Sequence, residues 1–362
     1  VEAAITEAAY QTLYALYPKQ RELFTQTRNN FIKLVRGDSS DNAGINKGIL
    51  VGKLLALTIL ESRSSDNSQN QGTYKLINQT GYHQPDPTHP DQPFLSPRWG
   101  TVTPFVIQSG SQFRASNTVG NTLAGRRQFL RSEKYISDYN EVVSLGTRNS
   151  QTRTADQTEV GIFWGYDGAP KLGVPPRLYN QVVRVIAIKK NNTLQQNAQL
   201  FAFVNYAMAD AGISAWETKY YYELWRPILG VRQGSPTTRA IPNWLPLGAP
   251  ADGGGDNFTP PFPSYVSGHS TFGSAAFEML RLFYGTDQFQ FQFQSDEYNG
   301  ATKDSITGRV RPNRTRSYER FSQAEEENFL SRIYLGVHWR IDQEEGRTMG
   351  RKIAKYIYDK LT

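Results

Sequence analysis

The chain has 362 residues, of which 38% are hydrophobic and 20% are charged, and this balance excludes an intrinsically disordered protein. The net charge is +7, but no run of Lys or Arg and no known reader motif accompanies it, so we expect no nucleic-acid partner. Cysteine is absent, which excludes disulfides and thiolate-bound metals, and only 3 methionines occur. These are the two side chains that peroxide damages most easily, although compositional drift would give the same counts.

Helical periodicity of the apolar residues predicts the main elements. It is found in the opening stretch ITEAAYQTLYALY, over 44–62, from Arg177 to about Leu229, and over Ser267–Tyr284, Ala324–Leu335 and Asp342–Leu361. Polar passages that contain Pro and Gly lie between these segments, chiefly 63–104 and 233–266, and few segments alternate as strands do. We therefore predict an all-α protein, with residues 1–362 as one domain of helical bundles and long loops covering one end.

Two early segments receive structural interpretations. The most apolar run, GILVGKLLALTIL from Gly48, is interrupted by Lys53, so we predict an amphipathic core helix, a soluble protein and no membrane partner. His83 and His89 lie in the proline-rich stretch GYHQPDPTHPDQPFLSPRWG, for which we predict a rigid surface loop with a structural role.

The first candidate functional segment is AWETKYYYELWRP, in which Lys219 and Arg226 are two helical turns apart. Both cations would project from one face, which Trp216 shares, and like charges on an aromatic face are unfavourable unless an anion lies between them. Two solvated cations remain an alternative for this pair alone.

A second segment, PFPSYVSGHSTF, places Ser267, Gly268 and His269 at a predicted helix entrance. The N–H groups of a first helical turn lack intrahelical partners, and glycine lets the backbone approach a bound oxygen closely. We therefore predict an anion-binding turn, with His269 placed to exchange a proton with the anion.

The third segment is LSRIYLGVHWRID, which contains Arg332, His338 and Asp342. Because six residues do not fit one helical face, we predict that Gly336 ends the helix of Arg332 and that His338 lies in the turn before the next helix, which starts near Asp342. Alone, His338 would equally be a buried structural histidine.

Together the three segments, spanning residues 219–342, resemble the vanadium-dependent haloperoxidases and the related acid phosphatases. The shared pattern is Lys, six residues, Arg-Pro, then Ser-Gly-His, then Ser-Arg, five residues, His, three residues, Asp. Val266 stands where the family usually has Pro. The stretches MADAGISAW, FWGYDGAP and PPRLYNQ look like the haloperoxidase branch.

The resemblance implies a vanadate cofactor and assigns a role to each matching residue. His338 would coordinate vanadium(V), His269 would assist proton transfer, and Lys219 would polarise the bound peroxide. The expected vanadate-binding set is Lys219, Arg226, Ser267, Gly268, His269, Arg332 and His338. Trp216 and Phe262 would line the halide pocket, or simply pack in the core; algal bromoperoxidases usually have a second histidine where Phe262 stands.

Further roles follow from the same resemblance. Asp342 would orient His338 or cap the next helix, and Asp210 would pair with Arg332 or lie on a helix surface. We expect peroxide-dependent oxidation of halide, bromide above chloride or iodide, and halogenation of small organic substrates. An acid phosphatase with a phosphohistidine intermediate and an anion-sequestering module remain alternatives. The sequence leaves the localisation open, with a secreted or periplasmic enzyme among the alternatives, and it leaves a homo-oligomer open.

Overall fold

The computed structural model describes residues 1–38, 40–168, 172–248, 259–304 and 307–362. They form two compact units, Val1–Gln69 with Asn191–Gln199, and Asn70–Lys190 with Leu200–Thr362. The assignment of 1–362 to one domain stays a prediction. Ala169 and Pro170, from one of the family-like stretches, lie outside the described residues.

The described residues are mainly helical, which confirms the all-α prediction. Twelve α-helices are present in this part of the chain: α1 (Glu2–Leu16), α2 (Arg21–Gly37), α3 (Asn42–Ser62), α4 (Leu123–Phe129), α5 (Glu133–Leu145), α6 (Ala155–Phe163), α7 (Pro175–Lys189), α8 (Leu194–Tyr222), α9 (Pro227–Gln233), α10 (Gly268–Tyr284), α11 (Phe321–Tyr334) and α12 (Arg340–Leu361). The predicted helix over residues 177–229 is in fact three helices, and α2, α4, α5 and α6 were not predicted. The predicted loop over residues 63–104 contains only one short 3₁₀ turn.

The first unit is built around α1, α2 and α3, whose small core contains Ala3, Ile32 and Ile45. The prediction that the apolar run of α3 is a core helix is wrong, because α3 buries only Ile45, Gly52 and Ala56. Its leucines are largely exposed, Leu50 by 68% among them. By length and composition alone α3 could also cross a membrane, so the absence of a membrane partner stays a prediction.

The second unit contains the main hydrophobic core, in which α10 packs against α12. The contact is close because small residues meet there. A Cβ added at Gly350 would lie 2.3 Å from the Thr271 carbonyl oxygen, and one at Gly346 would lie 2.9 Å from Thr271 Oγ1. Ser267 N also donates to the Asp342 carbonyl at 2.9 Å, so the start of α10 is fixed beside the start of α12.

One element departs from the helical pattern. Strands β1 (Gln288–Asn299) and β2 (Asn313–Arg320) pair antiparallel as a two-stranded sheet. The sequence QFQFQFQ at the start of β1 alternates as a half-buried strand should, with Phe291 and Phe293 buried and the glutamines outside. This alternation was readable in the sequence, and our prediction missed it.

The α10–α12 contact leads to a stability prediction. Alanine usually stabilises a helix relative to glycine by about 1 kcal/mol. We expect Gly350→Ala to do the opposite and to lower the free energy of unfolding by about 1–3 kcal/mol, because the added methyl group overlaps the Thr271 carbonyl. Thermal or urea unfolding measures the change, with exposed Lys352→Ala on the same helix as the control. A Gly350→Ala midpoint at or above that of the parent would contradict this packing.

Candidate functional site

Six charged or imidazole side chains from distant segments meet in the interior of the second unit, each at most 5% exposed. They are Lys219 on α8, Arg226 before α9, His269 on α10, Arg332 on α11, and His338 and Asp342 at the start of α12. The charges of Arg226, Lys219 and Arg332 and the ring of His269 all act on His338. The structure therefore brings together the charged residues and both histidines of the three predicted segments.

His338 has a defined tautomer. Its Nδ1 lies 2.9 Å from Asp342 Oδ2, and its Nε2 lies 2.9 Å from Arg226 Nη1. A guanidinium can only donate hydrogen bonds, so Nε2 must be the acceptor, and the proton must be on Nδ1, directed at the carboxylate. Burial, followed by the charge of Arg226, lowers the pKa of His338 well below its ordinary value, which keeps the ring neutral. His338 thus presents a lone pair to the group of cations.

Asp342 fixes this tautomer from the third position of α12. Its Oδ2 accepts from Trp339 N at 2.9 Å and from the Ser264 hydroxyl, as well as from His338. Burial raises the pKa of Asp342 above the ordinary value. The side chain therefore orients His338, as expected. The alternative that Asp342 is the N-cap is wrong, because Trp339 is the N-cap and Asp342 is the third residue of α12, from where its carboxylate accepts from Trp339 N.

The two arginines keep donors that no described protein atom accepts. Arg226 donates from Nε to the Phe262 carbonyl at 2.8 Å and from Nη1 to the Val337 carbonyl at 2.7 Å, whereas its Nη2 is buried without a partner. Arg332 Nε is also buried without a partner. Burial lowers the pKa of Arg226 to about 9, so it stays charged at neutral pH. Buried, unpaired N–H groups beside a histidine lone pair are what an oxyanion site requires.

The expected pairing of Asp210 with Arg332 is wrong, as is the alternative that Asp210 lies on a helix surface. Asp210 is buried and accepts from the backbone N–H groups of Phe105, Val106 and Ile107 at 2.7–2.9 Å. Arg332 is instead held by Asp167, with Nη2 at 2.6 Å from Oδ1 and Nη1 at 3.0 Å from Oδ2.

Lys219 lies in the same group but is engaged with the backbone. Its Nζ donates to the carbonyls of Pro263 at 3.0 Å and Ser264 at 3.1 Å, and also to that of Val266. These carbonyls belong to the segment that leads into Ser267. Burial and the charge of Arg226 lower the pKa of Lys219 well below its usual value. Lys219 therefore shapes the turn before α10 as well as adding positive charge.

A helix begins at the predicted entrance, and the binding of an anion there stays a prediction. Ser267 is the N-cap, with Oγ accepting from Ser270 N at 3.3 Å, and Gly268 opens the helix. His269 Nε2 lies 2.5 Å from the carbonyl oxygen of Gly165. A carbonyl can only accept, so Nε2 carries the proton, and burial lowers the pKa of His269 to about 3. In this neutral ring Nδ1 is the atom that can accept a proton.

Trp216 and Phe262 form one aromatic wall beside the cations. Their ring centroids are 4.9 Å apart, and Phe272 lies 6.2 Å from Trp216. Lys219 Nζ lies 4.8 Å from the centroid of Phe262, and Arg226 Cζ lies 4.7 Å from it. Because both aromatic side chains are half-buried, the wall has one side on the group of cations and one toward solvent.

Several supporting residues were not identified from the sequence. Asp167 and Gly165 lie in FWGYDGAP, a stretch singled out only as a resemblance. Tyr179, from PPRLYNQ, donates to the His269 carbonyl at 2.9 Å, and Asn328 donates to the same oxygen at 3.0 Å. A carboxylate in a family-like stretch was the signal available for Asp167. Nothing local indicated Asn328.

Charge balance favours an anionic guest. Three buried basic side chains, Lys219, Arg226 and Arg332, face two carboxylates, Asp167 and Asp342, so positive charge is in excess when Lys219 is protonated. An excess of buried positive charge is costly unless an anion offsets it. Among the described residues no group of three or more His, Cys, Asp or Glu side chains could hold a simple metal cation. The donor set therefore fits a tetrahedral oxyanion with one atom bonded to an imidazole nitrogen.

Comparisons with known proteins find likeness to vanadium haloperoxidases. Residues 199–362 match the family model of the VCPO second helical-bundle domain. The vanadium chloroperoxidase of Curvularia inaequalis is 42% identical over 232 residues, covering 55% of this chain and 38% of that protein. The chain thus spans less than half the length of this curated relative.

Two solved structures share the fold. The crystal structure of a bacterial vanadium-dependent iodoperoxidase is 25% identical, with a TM-score of 0.72 over 94% of this chain and 75% of its own. A holo-type bacterial vanadium-dependent chloroperoxidase is 13% identical, with a TM-score of 0.70 over 99% of this chain and 81% of its own, and this likeness concerns the fold.

The Asp167–Arg332 pair leads to a second stability prediction. We expect Asp167→Asn to lower the free energy of unfolding by about 3–5 kcal/mol, because it leaves the buried guanidinium without its counter-charge. Glu141→Gln is the matched control, since it neutralises the partner of Arg340 in a partly exposed pair worth about 1 kcal/mol or less. Chemical unfolding compares the two, and equal losses would contradict the buried, paired state of Arg332.

Proposed function

We propose that this chain, a relative of the vanadium haloperoxidases in sequence and fold, uses vanadate to oxidise halide with hydrogen peroxide, giving hypohalous acid that halogenates small organic substrates. One observation carries the proposal. The Nε2 lone pair of His338 faces a buried group of cations in which Arg226 Nη2 and Arg332 Nε have no described protein partner.

The residues present fit vanadate. His338 Nε2 would bind the vanadium atom, with its tautomer held by Asp342. The donors for the oxygens would be Arg226, Arg332, the hydroxyl of Ser267 and the N–H of Gly268. Lys219, whose three ammonium hydrogens point to backbone carbonyls, would act through its charge. When bound, vanadate would supply a Lewis acid that polarises peroxide without a change of oxidation state.

His269 is placed to move the proton. Its Nε2–H is fixed on the Gly165 carbonyl, so its bare Nδ1 is the base available to hydrogen peroxide. The low pKa of the ring reflects burial beside Arg332, and a bound anion would raise it by offsetting that positive charge. His269 would then hold the proton and return it to the leaving oxygen.

The wall of Trp216 and Phe262 supports halide use. An apolar surface next to Lys219 and Arg226 removes water from a small anion while the cations attract it. We propose bromide as the preferred test substrate, because bromide gives up electrons more readily than chloride. The relatives' names include both a chloroperoxidase and an iodoperoxidase. Bromide lies between chloride and iodide in how readily it gives up electrons.

An acid phosphatase is the alternative, with His338 as nucleophile and His269 as acid. The same oxyanion site would serve it, but the aromatic wall offers few polar groups to the alcohol portion of a phosphate ester. The relatives reported above are named as haloperoxidases and not as phosphatases, which favours the haloperoxidase proposal.

The direct experiment uses the whole chain freed of bound anions and then supplied with orthovanadate. We expect peroxide-dependent bromination that requires vanadate, and inhibition by inorganic phosphate, which competes for the same cations. Hydrolysis of a phosphate ester is measured in parallel. Ester hydrolysis without any bromination would replace the proposal with the phosphatase, and indifference of bromination to phosphate would refute a shared oxyanion site.

Substitution of His269 separates an enzyme from a module that only sequesters the anion. We expect His269→Ala to lower turnover by at least about 100-fold, since general acid–base groups contribute about 10²–10⁴. Vanadate should still bind, because His338 and the arginines remain. The solvent-exposed Lys352→Ala serves as the control. Unchanged turnover in His269→Ala would remove His269 from the reaction.

A further inference from the structure

The loop of residues 164–167, which follows α6, carries two groups on which the site depends. The carbonyl of Gly165 accepts the Nε2–H of His269, and the carboxylate of Asp167 holds Arg332. No regular secondary structure fixes residues 165–167. Their conformation must therefore be set by contacts from elsewhere in the chain.

Those contacts come from the end of β1. Ser295 Oγ donates to the Phe163 carbonyl at 2.6 Å, and Asp296 N donates to the Tyr166 hydroxyl at 2.7 Å. Tyr166 N donates to Glu297 Oε1 at 2.8 Å. Tyr166 has a φ of 46°, a left-handed backbone conformation that residues other than glycine rarely adopt. The hydrogen bonds from β1 stabilise this conformation.

Glu297 is the charged member of this set. It is 2% exposed, and Arg311, 4% exposed, donates to its Oε2. Burial raises the pKa of Glu297 to about 7. A Cβ at Gly165 would lie 2.8 Å from Glu297 Oε1, so the carboxylate lies directly against the loop. A buried ion pair is expensive, and a well-packed apolar pair would stabilise the hairpin at lower cost.

We propose that Glu297 is a positioning residue for the reaction. By fixing Tyr166 N, it sets the direction of the Gly165 carbonyl, which keeps the proton of His269 on Nε2 and leaves Nδ1 free. It also places Asp167 opposite Arg332. The two-stranded sheet thereby determines the geometry of groups in the helical core, and this role rests on the function proposed above.

The test compares Glu297→Ala with Glu297→Gln. The amide oxygen of glutamine can still accept from Tyr166 N, whereas alanine cannot, so glutamine should rescue what alanine loses. Glu325→Ala is the matched control. Glu325 is a carboxylate exposed by 1% that is paired with Arg281 and Arg351, and its removal also leaves arginine charge unpaired.

The first measurement needs neither vanadate nor activity. Nitrogen-15 NMR of the four histidines, with His269 assigned by its loss in His269→Ala, reports which ring nitrogen carries the proton. We expect one Nε2–H tautomer in the parent, in Glu297→Gln and in Glu325→Ala, and a mixture in Glu297→Ala. Spectra are taken at a temperature well below the unfolding midpoint of each variant, so that a loss of stability does not affect the tautomer that is measured.

The second measurement is the turnover number for bromide with vanadate bound. We expect about a 100-fold fall for Glu297→Ala, since a misplacement of about 1 Å costs that much, with a far smaller fall for Glu297→Gln and for Glu325→Ala. An unchanged tautomer in Glu297→Ala, or equal effects in Glu325→Ala, would overturn the positioning role. If the parent shows no bromination at all, the proposed function fails while the NMR result still decides the role of Glu297.

Discussion

The structure depends on an excess of positive charge buried beside a neutral imidazole. Lys219, Arg226 and Arg332 lie in the interior, and when Lys219 is protonated the two carboxylates around them, Asp167 and Asp342, do not balance their charge. A folded chain tolerates this only if a negative guest completes the site or if the charges are held apart by strong local contacts. The chain uses such contacts as well, with backbone carbonyls on Lys219 and Asp167 on Arg332, and still leaves N–H groups for a guest.

The fold brings these groups together by two devices. Glycines on α12 let it approach α10 closely, which sets the turn of Ser267 next to Asp342 and so places both histidines in one site. The loop after α6 then supplies the Gly165 carbonyl and Asp167 from a segment that neither helix controls. A contact between distant parts of the chain therefore determines which nitrogen of His269 carries the proton, whereas for His338 the neighbouring Asp342 does so together with the distant Arg226.

Many residues of the site were predictable because their types and their spacing along the sequence form a recognisable pattern. Each of the three segments was ambiguous alone, and their order and spacing together carried the prediction. Lys219 and Arg226 do meet, but not on one helical face as predicted, because α8 ends at Tyr222 and Arg226 is the N-cap of α9. The partner of Arg332 was not predictable, because the choice of Asp167 over Asp210 depends on which loop reaches the guanidinium. The exposure of α3 was missed for a similar reason, since an apolar run does not reveal whether another helix covers it.

A crystal structure of the whole chain soaked with orthovanadate tests the central claim most directly, since vanadium is located by its anomalous scattering. The account predicts one vanadium atom within bonding distance of His338 Nε2, with Arg226 Nη2 and Arg332 Nε donating to its oxygens. Vanadium bound elsewhere, or an interior in which Arg226 still contacts Nε2 at saturating vanadate, would contradict it.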